Sequence, residues 1–125
     1  MVTIAIIGIL ASLAIPAYQN HVVRARVVEG LQVANQAKMA VAEDVAANNG
    51  RLEGAVGRGF KSPDATENFK AILVNSATGD ITIQFTKKAG DGTIILHPVI
   101  SHTGEITWQC KEGTLEARYR PANCR

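Results

Sequence analysis

The stretch AIIGILASLAIPAYQN, residues 5–20, contains no charged residue, and the first formal charge in the chain comes only at Arg24. The apolar run from Met1 to Ala17 would form a helix about 26 Å long, slightly short of the roughly 30 Å of a bilayer core. Such a segment could serve export, membrane anchoring, or packing against copies of itself. Because no basic residue precedes the run and no small-residue cleavage pattern follows it, we do not expect a cleaved signal peptide.

The remainder of the chain has the composition of an ordinary folded domain. The whole chain of 125 residues is 46% hydrophobic and 19% charged, and its length is enough for one domain with one core. A net charge of +2 is too small to argue for nucleic acid or another acidic partner. Cys110 and Cys124 would be free thiols in a typical cytosolic protein. Because the chain begins with a membrane-type segment, we expect a disulfide instead, worth roughly 3 kcal/mol of stability.

A helical pattern continues beyond the apolar run, but with a single apolar stripe. Asn48, Asn49 and Gly50 then supply a stop signal. The sequence therefore predicts one helix of more than about 40 residues, apolar all round in its first half and amphipathic in its second. The stripe recurs at spacings of three and four, through Val23, Val27, Leu31, Ala34, Ala37 (or Lys38), Val41 and Val45.

From Phe69 onward the hydrophobic period changes to two, which is typical of strands. Short turns rich in glycine separate the strands, so we expect a four-stranded meander of antiparallel neighbours. The predicted fold class is α+β: a long N-terminal helix packed on a four-stranded antiparallel sheet, with a C-terminal disulfide loop. Before the sheet, residues 50–59 predict a flexible surface loop and residues 62–64 a short helical turn. The predicted strands are Ala71–Val74, Ile81–Phe85, Thr93–His97 and Glu105–Trp108.

Both ends of the chain resemble the type IV pilins. AIIGILASLAIPAYQ, residues 5–19, is similar to the N-terminal signature of that family. The pattern T-W-x-C at 107–110, followed by Y-x-P-x-x-C at 119–124, resembles the closing disulfide region of major pilins of the pseudomonad type, type IVa. The resemblance covers essentially the whole chain and implies a disulfide between Cys110 and Cys124.

One part of the family pattern has no counterpart in this sequence. The family has a basic leader, an N-methylated aromatic residue and a glutamate a few positions on. Because Met1 matches an internal methionine of the pattern, we expect these features to lie upstream of it. The assembly glutamate of the family cannot be assigned to any residue of this sequence.

The resemblance implies a division along the chain. Residues 1–22 would form the transmembrane or filament-core half of the helix, and residues 23–125 the globular head. Within the head we expect the second helix half at 23–48, an αβ loop at 49–68, the sheet at 69–110 and the disulfide loop at 110–124.

A type IV pilin is a structural subunit, so the resemblance implies function by polymerisation. The partners would be other copies in a helical homopolymer, the pilus assembly machinery in the inner membrane, and the membrane itself before assembly. The resulting extracellular fibre of a Gram-negative bacterium would serve adhesion and twitching motility, with DNA uptake as a further use. DNA or host-surface receptors would then be partners of the fibre.

Small residues in the apolar run favour close packing of one helix against another. Pro16 removes one helical hydrogen bond and crowds the carbonyl of Ser12. In filaments of the family the corresponding stretch loses helical order, so the resemblance implies the same for residues 8–16. The candidate residues for filament-core packing are Ala5, Gly8, Ala11, Ser12 and Pro16.

Two groups of charged residues are candidates for surface roles. Arg24, Arg26 and Glu29 follow the apolar run, where they would form ion pairs between subunits or simply mark the membrane surface. The other group would bind DNA or a receptor, or form a solvated rim, since nearby glutamates dilute its positive charge. Its members are Lys111, Arg118, Tyr119 and Arg120.

No pattern in the sequence points to catalysis, a metal or a cofactor. His97 and His102 have no cysteine or acidic cluster at ligand spacing, so we expect no zinc site. The sequence contains no serine elbow, and both cysteines are better used in a disulfide than in a catalytic pair. We expect a non-enzymatic protein without cofactors, in which Trp108 belongs to the core.

Two other functions fit parts of the pattern. A pseudopilin of a secretion system would share the long helix, although the disulfide region around Trp108 resembles major pilins instead. A minor pilin would act at the fibre tip as a DNA- or receptor-binding module and would use the basic C-terminal residues.

Overall fold

The computed structural model describes residues 2–125, with the exception of the side chain of Pro16. Met1, which begins the predicted filament-core half, lies outside the described residues, as does the predicted packing role of the Pro16 ring. The described chain comprises a long helical rod, four strands and three short 3-10 turns.

The rod consists of two helices in direct succession. Helix α1 spans Val2–Val33 and helix α2 spans Asn35–Ala47. At the junction, the Ala34 N–H donates to the carbonyl of Gly30 and the Lys38 N–H donates to that of Ala34, each at 3.0 Å. Because the i to i−4 bonding continues through the junction, the prediction of one long N-terminal helix is confirmed.

The four strands form one antiparallel sheet in sequence order, which confirms the predicted meander. Strand β1 spans Phe69–Val74, β2 spans Ile81–Phe85, β3 spans Thr93–Ile100 and β4 spans Ile106–Glu112. A bulge interrupts the β3–β4 register between Ile95 and His97.

Strands β1, β3 and β4 are longer than the sequence pattern predicts. The prediction ended β3 at His97, but the strand continues through Pro98, which pairs with Trp108 of β4. A proline has no backbone N–H to donate within a sheet. Because the pairing of β3 with β2 ends at Leu96, no hydrogen bond to β2 is lost at Pro98.

The amphipathic part of the rod packs against one face of the sheet, called here the inner face. Val27, Ala34, Ala37, Val41 and Val45 are at most 1% exposed, so the predicted stripe is confirmed at these positions. Burying one large aliphatic side chain stabilises the fold by about 1.5–3 kcal/mol. The sheet contributes Phe69, Ile72, Ile81, Ile83, Phe85, Ile94 and Leu96 to this core.

Gly30 lets the helix approach the sheet closely. A Cβ atom at this position would lie 2.7 Å from Cε1 of Phe85, which is fully buried in the core. Any larger residue at position 30 would push the rod away from β2.

The segment between the rod and the sheet differs from prediction in two places. Residues 62–64 form no helical turn; instead the Ser62 hydroxyl accepts a hydrogen bond at 2.9 Å from the Ile72 N–H, at the open edge of β1. Within the glycine-rich stretch 50–59, Val56 and Gly57 are buried, so this loop is not wholly a surface loop. The Gly57 N–H donates to the Asp44 carboxylate at 2.6 Å, which fastens the loop to α2.

Candidate functional site

The first half of α1 projects from the head with its apolar side chains uncovered. Val2 and Ile4 are each 75% exposed and Leu13 is 70% exposed. An apolar patch of this extent on a single chain marks a surface that contacts a membrane or another protein. Among the described residues, α1 and α2 together form the one helix that is long and apolar enough to cross a membrane.

Three small residues lie on one side of this exposed helix. At 100° per residue, Ala5, Gly8 and Ser12 fall within a stripe about 60° wide, and Ala11 lies next to it. A Cβ atom built on Gly8 would meet nothing within 4 Å, so the stripe is an open shallow surface. The Ser12 hydroxyl donates to the Ile9 carbonyl at 2.7 Å, which satisfies its hydrogen-bonding group inside an apolar segment.

A polar network holds α1 to the start of the sheet. Arg26 donates to the side-chain oxygen of Asn68 at 2.7 Å, and the Asn68 amide donates to the Glu29 carboxylate. Arg26 also lies 3.4 Å from Glu67, and Lys88 lies 3.3 Å from the other oxygen of that carboxylate. The hydrogen bond and charge of Lys88, followed by the charge of Arg26, lower the pKa of Glu67. Asn68 is 4% exposed, so the network is centred on a buried amide.

Arg24 connects the rod to the C-terminal segment. Its Nη2 donates to the carbonyl of Arg118 at 2.7 Å, in the 3-10 turn Ala117–Tyr119. The Nε of Arg24 is the one buried side-chain polar atom without a hydrogen-bond partner among the described residues. Arg24 therefore already has a structural role inside a single chain.

The disulfide between Cys110 and Cys124 closes the C-terminal loop onto β4 and confirms the predicted pairing. Cys110 is 7% exposed and Cys124 is 2% exposed, so the bond belongs to the protein interior. Trp108, two residues before Cys110, is half-buried and packs at the edge of the core, with the Lys38 Nζ 5.8 Å above its ring. Burial lowers the pKa of Lys38.

Arg120 occupies a cage of backbone carbonyls inside this loop. Its Nε donates to the carbonyl of Leu115 at 2.8 Å, its Nη1 to that of Lys111 at 2.7 Å, and its Nη2 to that of Gly113 at 2.9 Å. A longer contact of 3.4 Å reaches the carbonyl of Cys124. A planar guanidinium with five N–H donors can serve such a cage, whereas a lysine ammonium cannot spread its donors so widely.

The basic residues near Arg120 are placed differently. Lys111 and Arg118 are exposed, and Arg118 lies 2.7 Å from the Glu116 carboxylate and 4.7 Å from the centre of the Tyr119 ring. Arg120 is only 5% exposed. The expectation of a surface-binding role for Arg120 is therefore wrong, because its guanidinium is fully occupied in closing the loop.

Residues 2–125 contain no group of three or more histidine, cysteine or acidic side chains that could hold a metal ion. His97 instead pairs with a single carboxylate, with its Nδ1 2.6 Å from an oxygen of Asp80.

Comparison with known proteins identifies the family of this chain. A family model described as Pilin (bacterial filament) matches residues 23–125. The chain belongs to the pilin family.

Individual relatives of this pilin carry corresponding names. The chain is 28% identical to the fimbrial protein EcpC of Eikenella corrodens, over 100% of the chain and 85% of that protein. It is 30% identical to the type IV major fimbrial protein FimA of Dichelobacter nodosus, over 100% of the chain and 90% of that protein. It is 34% identical to the type IV major pilin protein PilE1 of Neisseria gonorrhoeae, over 88% of the chain and 53% of that protein. The resemblance to type IV pilins is confirmed, and the pilin is a structural pilus subunit.

Sequence reasoning missed two polar features of the pilin head. No sequence pattern singled out Asn68, yet its side chain joins those of Arg26 and Glu29. Arg120 was counted among surface cations because residue type alone says nothing about backbone carbonyls. The available signal was its position between Gly113 and Cys124, inside a loop that the disulfide closes.

Proposed function

We propose that this pilin polymerises through the apolar half of α1 into an extracellular fibre. The observation that carries the proposal is the exposure of the apolar side chains from Val2 to Ile15, which a stable protein must cover. In a helical homopolymer the corresponding segments of neighbouring copies would cover one another. The stripe of Ala5, Gly8 and Ser12 supports this arrangement, because small residues allow two helix backbones to approach closely.

Before assembly, the same segment would anchor the subunit in the inner membrane of a Gram-negative bacterium. The apolar run reaches Ala17, and the uncharged polar residues from Tyr18 to His21 would then lie at the membrane surface. We therefore divide the chain into an anchor and core segment, 1–22, and a globular head, 23–125. The family match over residues 23–125 is consistent with treating the head as a unit.

We further propose that the chain is a major subunit of a type IV pilus used for adhesion and twitching motility, with DNA uptake as a further use. Support comes from relatives named as type IV major fimbrial or major pilin proteins. Loss of helical order within residues 8–16 on assembly remains part of this proposal. In the single chain this stretch is helical.

Arg24, Arg26 and Glu29 remain candidates for ion pairs between subunits. Arg26 and Glu29 already share Asn68 within the head, so a partner subunit would add to an existing network. The side chain of Arg26 is 30% exposed, so its guanidinium has room to pair with a carboxylate of a neighbouring subunit as well.

The test compares two identical substitutions on opposite sides of the helix. Ala5→Leu adds bulk to the small-residue stripe, whereas Ala14→Leu adds the same bulk about 180° around the axis from Ala5. We expect Ala5→Leu to lower the yield of sheared fibres several-fold while the membrane fraction still contains the subunit. Ala14→Leu should leave the fibre yield nearer to that of the unchanged protein. Equal fibre yields from all three proteins would contradict packing through this stripe.

The composition of purified fibres tests the role as a major subunit. We expect one dominant band corresponding to this chain, and a trace amount would support the minor-pilin alternative. That alternative relies on the exposed Lys111 and Arg118, so Arg118→Ala should abolish DNA retardation if the chain is a DNA-binding module. Arg120 is unsuitable for this test because its removal would disturb the loop itself.

A further inference from the structure

A groove, called here the junction groove, lies where the apolar half of α1 meets the head. One wall is the part of α1 just beyond the apolar run, and the other is the 3-10 turn Ala117–Tyr119. Its volume of about 520 Å³ falls within the size range of small-molecule binding sites. The residues that line it include Tyr18, Gln19, Asn20, Val22, Arg118 and Tyr119.

The junction groove combines one cation with aromatic, aliphatic and uncharged polar side chains. None of the described residues that line it is acidic. The Nε of exposed Arg118 lies 2.7 Å from the Glu116 carboxylate, and among residues 2–125 its Nη groups have no hydrogen-bond partner. The planar fork of a guanidinium matches the oxygens of a phosphate group. Tyr18, which is 69% exposed, adds an open aromatic ring to the same groove.

Arg24 fixes the position of this cation and adds to its charge. Its Nη2 donates to the backbone carbonyl of Arg118, so the turn is held against α1 by a contact that does not use the Arg118 side chain. The Nε of Arg24 is buried without a partner, and Arg24 pairs with no carboxylate among the described residues. Two guanidinium groups and the one carboxylate of Glu116 therefore leave the junction positively charged.

A second groove, on the other side of α1, has different chemistry. Tyr18 and Val22 line both grooves, but the second one is also lined by Glu29 and Glu67. Two carboxylates repel an anion, and Arg26 in that groove already lies 3.4 Å from Glu67. An anionic ligand is therefore expected at the junction groove and not at its neighbour.

The proposed membrane anchor determines which anions lie close to the junction groove. The apolar run ends at Ala17, so Tyr18 begins the part of the helix that is level with the lipid headgroups. From residue 18 to residue 23 the helix rises about 7.5 Å. The polar layer on one side of a bilayer is about 5–8 Å thick. The groove therefore lies at the depth of the lipid phosphates.

We propose that the junction groove binds the phosphate of an anionic phospholipid while the subunit is anchored in the membrane. This inference rests on the proposed anchoring by α1. The Nη groups of Arg118 bind the phosphate oxygens, and the rings of Tyr18 and Tyr119 lie at the boundary between headgroups and acyl chains, where tyrosine is enriched. The bound lipid holds the C-terminal turn at the membrane surface until the subunit leaves the membrane.

The test titrates the full chain in uncharged dodecyl maltoside micelles with a soluble anionic lipid, dihexanoyl phosphatidylglycerol. Zwitterionic dihexanoyl phosphatidylcholine, inorganic phosphate and a DNA oligonucleotide are titrated under the same conditions. Backbone amide NMR signals of residues 18–23 and 118–119 report occupancy of the groove. We expect saturable shifts of these signals with phosphatidylglycerol, at lower concentration than with any of the other three probes.

Two pairs of variants test the groove residues. Arg118→Ala should weaken the binding of phosphatidylglycerol about fivefold, the effect of one basic residue near an anionic lipid surface. Arg51→Ala is the matched control, because Arg51 is also exposed and also pairs with a glutamate two residues away, Glu53, but follows the far end of the rod. It should leave binding unchanged. Tyr18→Ala should also weaken binding, whereas Tyr18→Phe, which keeps the ring, should not.

Several results would overturn the proposal. Equal affinity for phosphatidylglycerol and phosphatidylcholine would do so, as would equal weakening by both arginine variants or shifts confined to other parts of the head. Saturation by inorganic phosphate at the same concentrations would assign the groove to free phosphate. Tighter binding of the oligonucleotide would assign it to DNA. A chain that fails to insert into phospholipid vesicles would instead contradict the proposed anchoring, whatever the titration shows.

Discussion

Replacement of Arg120 tests whether a buried cation bonded to backbone carbonyls can hold the C-terminal loop. Arg120→Met keeps most of the side-chain length but removes the three hydrogen bonds of 2.7–2.9 Å to backbone carbonyls. Hydrogen bonds to a charged group contribute about 1.5–3 kcal/mol each, or roughly 5–9 kcal/mol for three. Burying the charged guanidinium costs several kcal/mol, and an uncharged methionine avoids that cost, so part of the loss is offset. We expect the free energy of unfolding to fall by about 3 kcal/mol.

Urea unfolding of the full chain in detergent micelles, with the disulfide intact, measures this change. The single tryptophan, Trp108, packs at the edge of the core and provides the fluorescence signal. Arg120→Lys should recover only part of the loss, because one ammonium cannot reach carbonyls on several sides. Arg118→Met is the control: its exposed pair with Glu116 contributes about 0–1 kcal/mol. If Arg120→Met destabilises the chain no more than Arg118→Met does, the cage is not a stabilising element.

Three further predictions concern the head. Asn68→Ala should lower the free energy of unfolding by about 1–3 kcal/mol, measured by urea unfolding, because it leaves two charged side chains of α1 without their shared buried partner. Lys88→Ala should raise the pKa of Glu67 towards its ordinary value, as followed by NMR titration, since Lys88 is the main cause of its lowering. With a lowered pKa in the folded state, the contribution of Glu67 to stability is present above the unfolded-state pKa and disappears as pH falls through the folded-state pKa. An unchanged pKa in Lys88→Ala would show that this ion pair does not form in solution. Gly113→Ala should cost more than about 2 kcal/mol, because its φ is +113° and a Cβ would clash with the Thr93 carbonyl oxygen. A melting temperature equal to that of the unchanged protein would contradict this.

Periodic and covalent features of the head were predictable from sequence, because each follows from a local rule. The helical stripe, the change to strand period near Phe69 and the pairing of Cys110 with Cys124 all appear in the structure. The helical turn at 62–64 does not, because the Ser62 hydroxyl is used by a strand edge that lies ten residues further along. Local cap chemistry cannot anticipate a competing donor from another element.

The polar contacts of Arg120 and Asn68 could not be predicted from the sequence, for a related reason. Arg120 and Asn68 are buried by parts of the chain that are distant in sequence, and neither residue type is usually buried. The residues for filament packing were easier to identify, since an uncharged segment with small residues at helical spacing is visible without any tertiary structure.

The placement of the buried stripe along the rod has a mechanical consequence. Val27 and Val45 mark the two ends of the stripe, and eighteen residues of helix separate them by about 27 Å. A pulling force applied along the axis from the exposed end of α1 would load all of these core contacts in parallel. The bond from Arg24 to the carbonyl of Arg118 passes part of the same load to the disulfide loop, ninety-four residues away in sequence. The head is therefore built to resist shear along its helix, and a sideways pull that peels one contact after another should detach the rod more easily.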